Sequence, residues 1–217
     1  MIEAIVFDMD GLLVDSEPLW QQARIAAFGA ERLRWTDADQ QAVMGTNSQA
    51  WARLIQAKLG DGTPTEEIIE RVLDALVALY RQEVPLMPGA NEILSLLRGR
   101  YPLGLASGSP YRLIHAALES AGWNGTFDPV LSADDVPHGK PAPDIYLAIT
   151  ARMSVAAERT AVIEDSANGI LAGLAAGVKV IAVPARDHPP SAEVLSRASL
   201  VLDSLHDFSL GALRDLM

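Results

Sequence analysis

The sequence predicts an α/β fold, in which a doubly wound, Rossmann-like parallel sheet carries an inserted domain made only of helices. From about residue 88 onward, apolar strand-like runs alternate with helical stretches, the pattern of a parallel sheet with crossover helices. Residues 16–86 show helical periodicity and no convincing strand. The apolar run AIVF at Ala4–Phe7 must therefore join the later sheet, which predicts a core of residues 1–15 and 87–217 and a helical insertion of residues 16–86.

Two acidic residues, Asp8 and Asp10, directly follow this first strand. Ligand sites of doubly wound sheets lie at the carboxyl ends of strands, and a spacing of two directs both side chains to one face of an extended chain. Two neighbouring carboxylates repel each other unless a cation, a shared proton or solvent stabilises them. Taken alone, the stretch is equally compatible with a solvated pair in a surface turn.

The clearest helix of the insertion is predicted to begin at Thr63-Pro64-Thr65-Glu66. This tetrapeptide has the pattern of a capping box with proline at the first helical position. Apolar residues then recur at helical spacing and predict one buried stripe, formed by Ile69, Val72, Leu73, Leu76 and Tyr80. The side chains predicted to be buried also include Trp35, Trp51 and Trp123.

The next two strand-like runs, PLGLA and PVLSA, each lead to a group that can bind phosphate. PLGLA continues into Ser107-Gly108-Ser109, where a hydroxyl group and backbone N–H groups at the start of a helix suit an anion. A plain strand-to-helix turn also accounts for this motif when it is taken alone. PVLSA leads to Lys140, which lies between Gly139 and Pro141 in a stiff loop and is therefore expected to point at a target.

The run TAVIE ends in Glu164-Asp165, a second acidic pair after a buried strand, and KVIAV follows as a further predicted strand. An alternative is that Asp165 or Ser166 caps the next helix, which would explain at most one of the two acids. Taken together, the strand ends supply two carboxylate pairs, a hydroxyl group and a lysine. Opposed carboxylates suit Mg²⁺, and the other groups suit the oxygens of a phosphate. The sequence therefore predicts a phosphoryl-transfer site, in which Asp8 or Asp10 attacks phosphorus while the other handles the proton.

The composition predicts a globular protein and is compatible with a small anionic substrate. Apolar residues make up 49% and charged residues 21%, no apolar run approaches a membrane span, and the N-terminus lacks the basic region of a signal peptide. The formal net charge of -11 argues against a nucleic-acid partner, and the absence of cysteine excludes disulfides and thiolate metal sites. We expect a cytoplasmic monomer whose partner is a small phosphorylated metabolite, with no nucleic-acid or membrane partner.

Four segments resemble, in order, the four motifs of the haloacid dehalogenase superfamily, in its β-phosphoglucomutase-like phosphatase branch: FDMDG, LASGS, GKPAPD and VIEDSANGILAGLAAG. The resemblance implies that Asp8 is the nucleophile, which forms a phosphoaspartate. It implies that Asp10 protonates the leaving group and then activates water. Ser107 and Lys140 would hold the phosphoryl group, together with the backbone of Gly108.

The resemblance also implies Mg²⁺ as the cofactor. Asp8, Asp165 and the carbonyl group of Asp10 would bind the ion, and Glu164 is a further candidate ligand. Asp10 argues against dehalogenation, because relatives that cleave carbon–halogen bonds lack an acid at this position. The helical insertion resembles the small α-helical cap of the family, which closes over the core and reads the leaving group. We call residues 16–86 the cap.

Phosphatase and β-phosphoglucomutase-like mutase are the alternatives within this branch. Similar mutases carry a histidine where Trp20 aligns, and a cap arginine just after a glycine, where this chain has Gly45-Thr46-Asn47-Ser48. Because neither is present, hydrolysis of a small phosphomonoester such as a sugar phosphate is favoured, unless another cap arginine such as Arg24 or Arg53 takes the place of the mutase arginine. Glu17, Trp20 and Asn47 are candidate substrate-binding residues of the cap. These positions also have explanations without a substrate: Glu17 and Asn47 as solvated polar residues, and Trp20 as an apolar residue of the first cap helix.

A binding module of another class, a receiver-like domain gated by phosphorylation, also combines acids, Mg²⁺, a hydroxyl group and a lysine on a doubly wound sheet. In such modules the phosphorylated aspartate lies on a later strand, and there is no helical cap. Here the predicted cap directly follows the first motif, which favours the enzyme.

Overall fold

Six parallel strands form one sheet in the computed structural model, which describes residues 1–214 and 216. The order across the sheet is β3-β2-β1-β4-β5-β6. The strands are β1 (Ala4–Phe7), β2 (Leu103–Ser107), β3 (Val130–Ser132), β4 (Thr160–Glu164), β5 (Lys179–Ala182) and β6 (Leu200–Val201). The first five correspond to the five predicted runs. The sequence does not predict β6, because two residues carry no strand pattern of their own.

Helices occupy both the insertion and the connections between strands. Between β1 and β2 lie α1 (Glu17–Phe28), α2 (Ala30–Leu33), α3 (Asp37–Val43), α4 (Ser48–Leu59), α5 (Thr65–Gln82) and α6 (Ala90–Leu97), of which the first five belong to the cap. The later helices are α7 (Tyr111–Ser120), α8 (Asp144–Met153), α9 (Ala167–Ala176), α10 (Ala192–Leu195) and α11 (Leu210–Arg214). Within the cap, α5 packs against α1 and α4.

Side chains of the central strand alternate between the two faces of the sheet, and each face is covered by helices. Ile5 and Phe7 pack with α6 and α7 in one cluster of buried apolar residues. Val6 packs with α8 and α9 in the other cluster. Burial on both faces explains why the strands are continuous apolar runs. The predicted fold class, a doubly wound parallel sheet with an inserted helical cap, is confirmed.

The chain crosses between the core and the cap twice, and the two crossings lie side by side. An antiparallel bridge joins Val14 to Leu86. The backbone N–H groups of Asp15 and Met87 flank this bridge and donate to the opposite crossing at 2.9 Å each. The crossings lie next to the domain limits expected after residues 15 and 86, and the limits themselves stay a prediction.

The predicted start of α5 is wrong by one residue, and its capping box is not formed. The helix begins at Thr65, and Pro64 occupies the N-cap position in extended backbone without a side-chain cap. The hydroxyl group of Thr63 donates to Asp61 Oδ1 (2.7 Å) and so belongs to the preceding turn. The stripe of α5 is buried as predicted, except that Ile68 is its first buried member and Ile69 is only half-buried.

Candidate active site

The carboxyl end of the sheet gathers the predicted catalytic groups because the strands that carry them are neighbours. Asp8 follows the central strand β1, and the two strands paired with β1 end in Ser107 and Glu164. Lys140 reaches this edge from the loop between β3 and α8, where its side chain is buried.

Lys140 lies between two carboxylates. Its Nζ donates to Asp8 Oδ1 (2.6 Å), to Glu164 Oε1 (2.6 Å) and to the carbonyl oxygen of Ala106 (3.2 Å). Burial opposes the positive charge, but the charges of Asp8 and Glu164 outweigh it and hold the pKa of Lys140 well above its usual value. Lys140 is therefore a permanent cation that fixes one oxygen of Asp8.

Asp165 is buried beside this ion pair, and both of its carboxylate oxygens lack a hydrogen-bond partner in the part of the chain that the structure describes. Oxygens of Asp8, Glu164 and Asp165 lie within 4.8 Å of one another. Burial raises the pKa of Asp8 to about 8, with Lys140 opposing and Glu164 adding to the rise. Burial, followed by the charge of Glu164, raises the pKa of Asp165 well above its usual value.

This cluster has the charge and the donor atoms that a divalent cation needs. Three carboxylates and one ammonium group give a formal charge of about -2. A hard cation with oxygen ligands would neutralise that charge and occupy the unpartnered oxygens of Asp165. The residues therefore fit Mg²⁺.

Glu164 contacts protein donors through both of its oxygens. Oε1 accepts from Lys140 and from the hydroxyl group of Tyr146, and Oε2 accepts from the Ser166 hydroxyl group (3.2 Å) and the Asp165 backbone N–H (3.2 Å). The N-cap of α9 is Ser166, so helix capping does not account for Asp165. Glu164 positions Lys140, and its direct ligation of a metal stays a prediction.

Asp10 has neutral hydrogen-bond partners. Its Oδ2 accepts from the hydroxyl groups of Ser107 (3.1 Å) and Ser109 (2.8 Å) in the core. Its Oδ1 accepts two longer bonds, each of 3.4 Å, from Trp20 Nε1 and the Tyr80 hydroxyl group in the cap. The two carboxylates of the first motif thus have different surroundings, as two different chemical roles require.

A cavity of about 500 Å³ lies between these strand ends and the cap. Residues that line it from the core include Asp8, Asp10, Gly108, Ser109 and Asp165, and those from the cap include Glu17, Trp20, Arg24, Trp35, Gln40 and Trp51. Ser107, Lys140 and Glu164 are fully or almost fully buried and contact the residues of this wall. The volume is suited to a small phosphorylated metabolite.

Asn47, unlike the other two predicted cap residues, lies outside the cavity wall. Its Oδ1 accepts from the backbone N–H of Ala50 (3.0 Å) and caps α4, and its assignment as a substrate-binding residue stays a prediction. The next residue, Ser48, is buried and donates from its backbone N–H (2.9 Å) and hydroxyl group (2.8 Å) to Asp134 of the core. This pair docks the cap onto the core.

The cavity wall contains a buried arginine, Arg24, that the motifs do not predict. It donates from Nη2 to Gln40 Oε1 (2.8 Å), lies 3.6 Å from Glu17 Oε1, and stacks 4.5 Å from the ring centre of Trp35. Burial lowers the pKa of Arg24 and raises that of Glu17, and each charge partly offsets the effect on the other. Helical spacing is the signal that could have found Arg24, because Glu17, Trp20 and Arg24 recur at i, i+3 and i+7 on α1.

The cap tryptophans have a second role beside burial. Trp51 is buried as predicted, and Trp35 is partly buried, but both also line the cavity. Trp51 packs edge-to-face on Trp20, with 5.5 Å between ring centroids. Trp123 is buried in the core, as predicted. Apolar walls of a cavity and core residues look alike in a sequence, because both are built from large apolar side chains.

Comparison with known proteins gives the family. A model of haloacid dehalogenase-like hydrolases matches residues 2–177. The chain is 35% identical over 189 residues to hexitol phosphatase B of Escherichia coli (strain K12), covering 85% of this chain and 84% of the relative. It is 33% identical over 186 residues to fructose-1-phosphate phosphatase YqaB of the same strain, covering 82% and 95%.

A solved structure agrees with these sequence relatives. CbbY from Rhodobacter sphaeroides in complex with phosphate has a TM-score of 0.84 and 28% identity, and the match covers 99% of this chain and 100% of that one. Within the described residues, every helix is too short or too polar to cross a bilayer. The chain therefore belongs to the haloacid dehalogenase-like hydrolase family, as a phosphatase of its β-phosphoglucomutase-like branch.

Proposed function

We propose that this phosphatase hydrolyses a small sugar phosphate, with Mg²⁺ as cofactor and a phosphoaspartate intermediate on Asp8. The observation that supports the proposal most is the setting of Asp8. Lys140 fixes its Oδ1 (2.6 Å), while the side chain lines the cavity beside Asp10 and Asp165. Two relatives are named for hexitol and fructose-1-phosphate substrates, which supports a sugar phosphate.

Asp8 and Asp10 divide the chemistry between them. The carboxylate oxygen of Asp8 that Lys140 does not hold attacks phosphorus, the bond to the leaving-group oxygen breaks, and Asp10 gives that oxygen its proton. Asp10 then takes a proton from water, whose oxygen attacks the phosphoaspartate and releases inorganic phosphate with Asp8 restored. Mg²⁺ held by Asp8, Asp165 and the Asp10 carbonyl group would neutralise charge on the phosphoryl oxygens.

Three further groups support the reacting phosphate in this proposal. Lys140 orients Asp8, favours its ionised form against the effect of burial, and supplies positive charge beneath the phosphoryl group. Gly108 lines the cavity and offers its backbone to an anion there. Ser107 orients Asp10 through its hydroxyl group (3.1 Å) and lies at the end of the strand beside Asp8.

A phosphosugar mutase is the second candidate, because Arg24 places a cation in the cap wall. A mutase must hold a second phosphate while its bisphosphate intermediate reorients. Ser48, which aligns with the mutase arginine, is buried and bonded to Asp134 and cannot supply that hold. Arg24 has Glu17 only 3.6 Å away, which weakens its attraction for a dianion. Hydrolysis is therefore favoured.

Phosphate release from a panel of sugar phosphates and other phosphomonoesters, measured with Mg²⁺ and with excess chelator, tests the proposal. We expect release that depends on Mg²⁺, and rapid-quench mass spectrometry should find the phosphoryl group on Asp8. Full activity after exhaustive chelation would remove the metal from the mechanism. Covalent phosphate on another residue would overturn the assigned nucleophile. A monomeric, cytoplasmic enzyme stays our prediction, and light scattering tests its oligomeric state.

A further inference from the structure

We propose that Arg24, with Glu17 and Gln40, is a specificity site that binds hydroxyl groups of an uncharged polyol leaving group and does not bind a second phosphate. The inference rests on the proposed hydrolysis of a phosphomonoester at the same cavity, and it assigns the chemistry of the part of the substrate that the cap contacts. A monophosphorylated polyol or sugar follows as the substrate class.

The first observation is an unpartnered donor in the cavity wall. Arg24 lines the cavity, is only 4% exposed, and its Nε has no hydrogen-bond acceptor within residues 1–214 and 216. A buried donor without a partner costs about 1–3 kcal/mol, and more when it is charged. The Nε atom itself is shielded from solvent, so a small shift of the cap side chains would be needed for a substrate oxygen to accept from it, and that bond would recover this cost.

The second observation is that the guanidinium group is held in place before any ligand binds. It donates to Gln40 and stacks on Trp35. Gln40 Oε1 also accepts from Trp35 Nε1 (3.0 Å), and Gln40 Nε2 donates to Glu17 Oε2 (2.7 Å). Side chains locked by such partners lose little entropy when they bind. This rigidity is expected of a recognition site.

Charge decides which ligand fits. Glu17 lies beside Arg24, so the pair offers one acceptor and one donor and carries little net charge. Six carboxyl groups and two arginines line the cavity, so it remains acidic even when a divalent cation is bound. A second phosphate would add to this repulsion, whereas a hydroxyl group can both accept from Arg24 and donate to Glu17.

The apolar wall and the volume agree with a polyol. Trp20 and Trp51 form an edge-to-face pair in the wall, and aromatic rings of this kind pack against the C–H groups of a sugar or polyol. The cavity of about 500 Å³ holds a molecule of pentose to hexose size with its phosphate. Trp20 also contacts Asp10, which places the apolar wall next to the reacting end of the substrate.

A selectivity measurement on Arg24→Lys tests this inference. The variant keeps the positive charge but loses the Nε donor and the planar geometry. We expect the ratio of kcat/KM for sorbitol 6-phosphate to kcat/KM for p-nitrophenyl phosphate to fall about 10- to 100-fold, mainly through KM. Arg53→Lys, at an exposed cap arginine on α4, is the matched control and should keep the wild-type ratio. An unchanged ratio in a folded Arg24→Lys enzyme would overturn the inference.

Glu17→Gln gives a second test, in which activity on a monophosphate and activity on a bisphosphate should change in opposite directions. Removal of the compensating charge should weaken binding of sorbitol 6-phosphate and raise the relative activity on fructose 1,6-bisphosphate. A wild-type enzyme that prefers the bisphosphate, and loses this preference in Arg24→Lys, would show that Arg24 holds a second phosphate and would refute the inference.

Calorimetry on the Asp8→Asn protein separates this inference from the proposed function. The measurement gives the affinity of sorbitol 6-phosphate relative to inorganic phosphate without turnover. If hydrolysis fails for every phosphomonoester, the proposed function is wrong, and the affinities still test Arg24. Equal relative affinities with and without Arg24→Lys would overturn the inference, and a fall of about 10-fold or more would support it.

Discussion

Removal of the divalent cation should make the stability of this enzyme fall as the pH rises from about 4 to about 8. Burial, and then the nearby acids, raise the pKa of the Asp8 carboxyl group from 3.8 to about 8, although Lys140 opposes the change. A carboxyl group whose pKa is raised by folding favours the folded state while it is protonated. The stabilisation is complete below the unfolded pKa and is lost as the pH passes through the folded pKa. Asp165 shifts in the same direction.

The size of the effect follows from these values. Each pKa unit corresponds to about 1.4 kcal/mol, so a change from 3.8 to about 8 corresponds to about 6 kcal/mol between the two ends of the pH range. At pH 7 the metal-free Asp8 would be about nine-tenths protonated. Binding of Mg²⁺ requires the carboxylates and should therefore release about one proton at this pH, or more if Asp165 also ionises.

Two measurements check this reasoning. Thermal unfolding with excess chelator should show a melting temperature that falls from pH 5 to pH 8, and saturating Mg²⁺ should remove most of the decline. Calorimetric titration of Mg²⁺ in buffers with different ionisation enthalpies should report the released proton. Asp8→Asn is the control, because it removes one of the two titrating groups and should reduce the pH dependence, leaving the part that comes from Asp165. Metal-free stability that is constant from pH 5 to pH 8, or Mg²⁺ binding without proton release, would refute the reasoning.

Three other outcomes are expected. Asp10→Asn should lower turnover by about two to four powers of ten, while acetyl phosphate still phosphorylates Asp8 in rapid-quench mass spectrometry; loss of labelling would contradict separate roles. Gly108→Ala would place a Cβ 2.5 Å from the Thr46 carbonyl oxygen and push the cap away by about an ångström, lowering kcat/KM roughly 100-fold. Gly211→Ala is the control, because its added Cβ makes only an ordinary contact and should leave kcat/KM unchanged. Equal kinetics of the two variants would argue against tight closure of the cap. Phosphorus NMR of the enzyme incubated with β-glucose 1-phosphate, Mg²⁺ and a trace of the 1,6-bisphosphate should show release of inorganic phosphate. Accumulation of glucose 6-phosphate faster than inorganic phosphate would favour the mutase over the phosphatase.

The sheet could be predicted because most of its strands are buried on both faces. Five strands appear in the sequence as continuous apolar runs, and β1 has the predicted bounds, Ala4–Phe7. The sixth, Leu200–Val201, is too short and too exposed to show such a pattern. The start of α5 could not be placed from its pattern, because Thr63 can cap a helix or bond to Asp61, and only the folded turn decides between them.

The candidate site could be predicted where strand order alone brings residues together. Asp8 and Glu164 lie at the ends of adjacent strands, so two carboxylate pairs that are each ambiguous alone indicate chemistry when they are taken together. The cap wall is different, because Arg24 and Gln40 meet only through the packing of α1 against α3. No local pattern encodes that contact. Asn47 shows the opposite case, since its bond to the Ala50 N–H is a helix cap between residues close in sequence.

The paired crossings at Val14 and Leu86 make the cap an exchangeable part. Because the two segments bond to each other where they enter the core, excision of the cap would leave two ends roughly 5 Å apart, one strand spacing. The turn that carries Asp8 and Asp10 closes on itself before the crossing, through a bond from the Gly11 N–H to the Val14 carbonyl group (2.8 Å). A cap grafted from a relative at these two points would bring its own substrate preference, and its own contacts to Asp10, to an unaltered nucleophile.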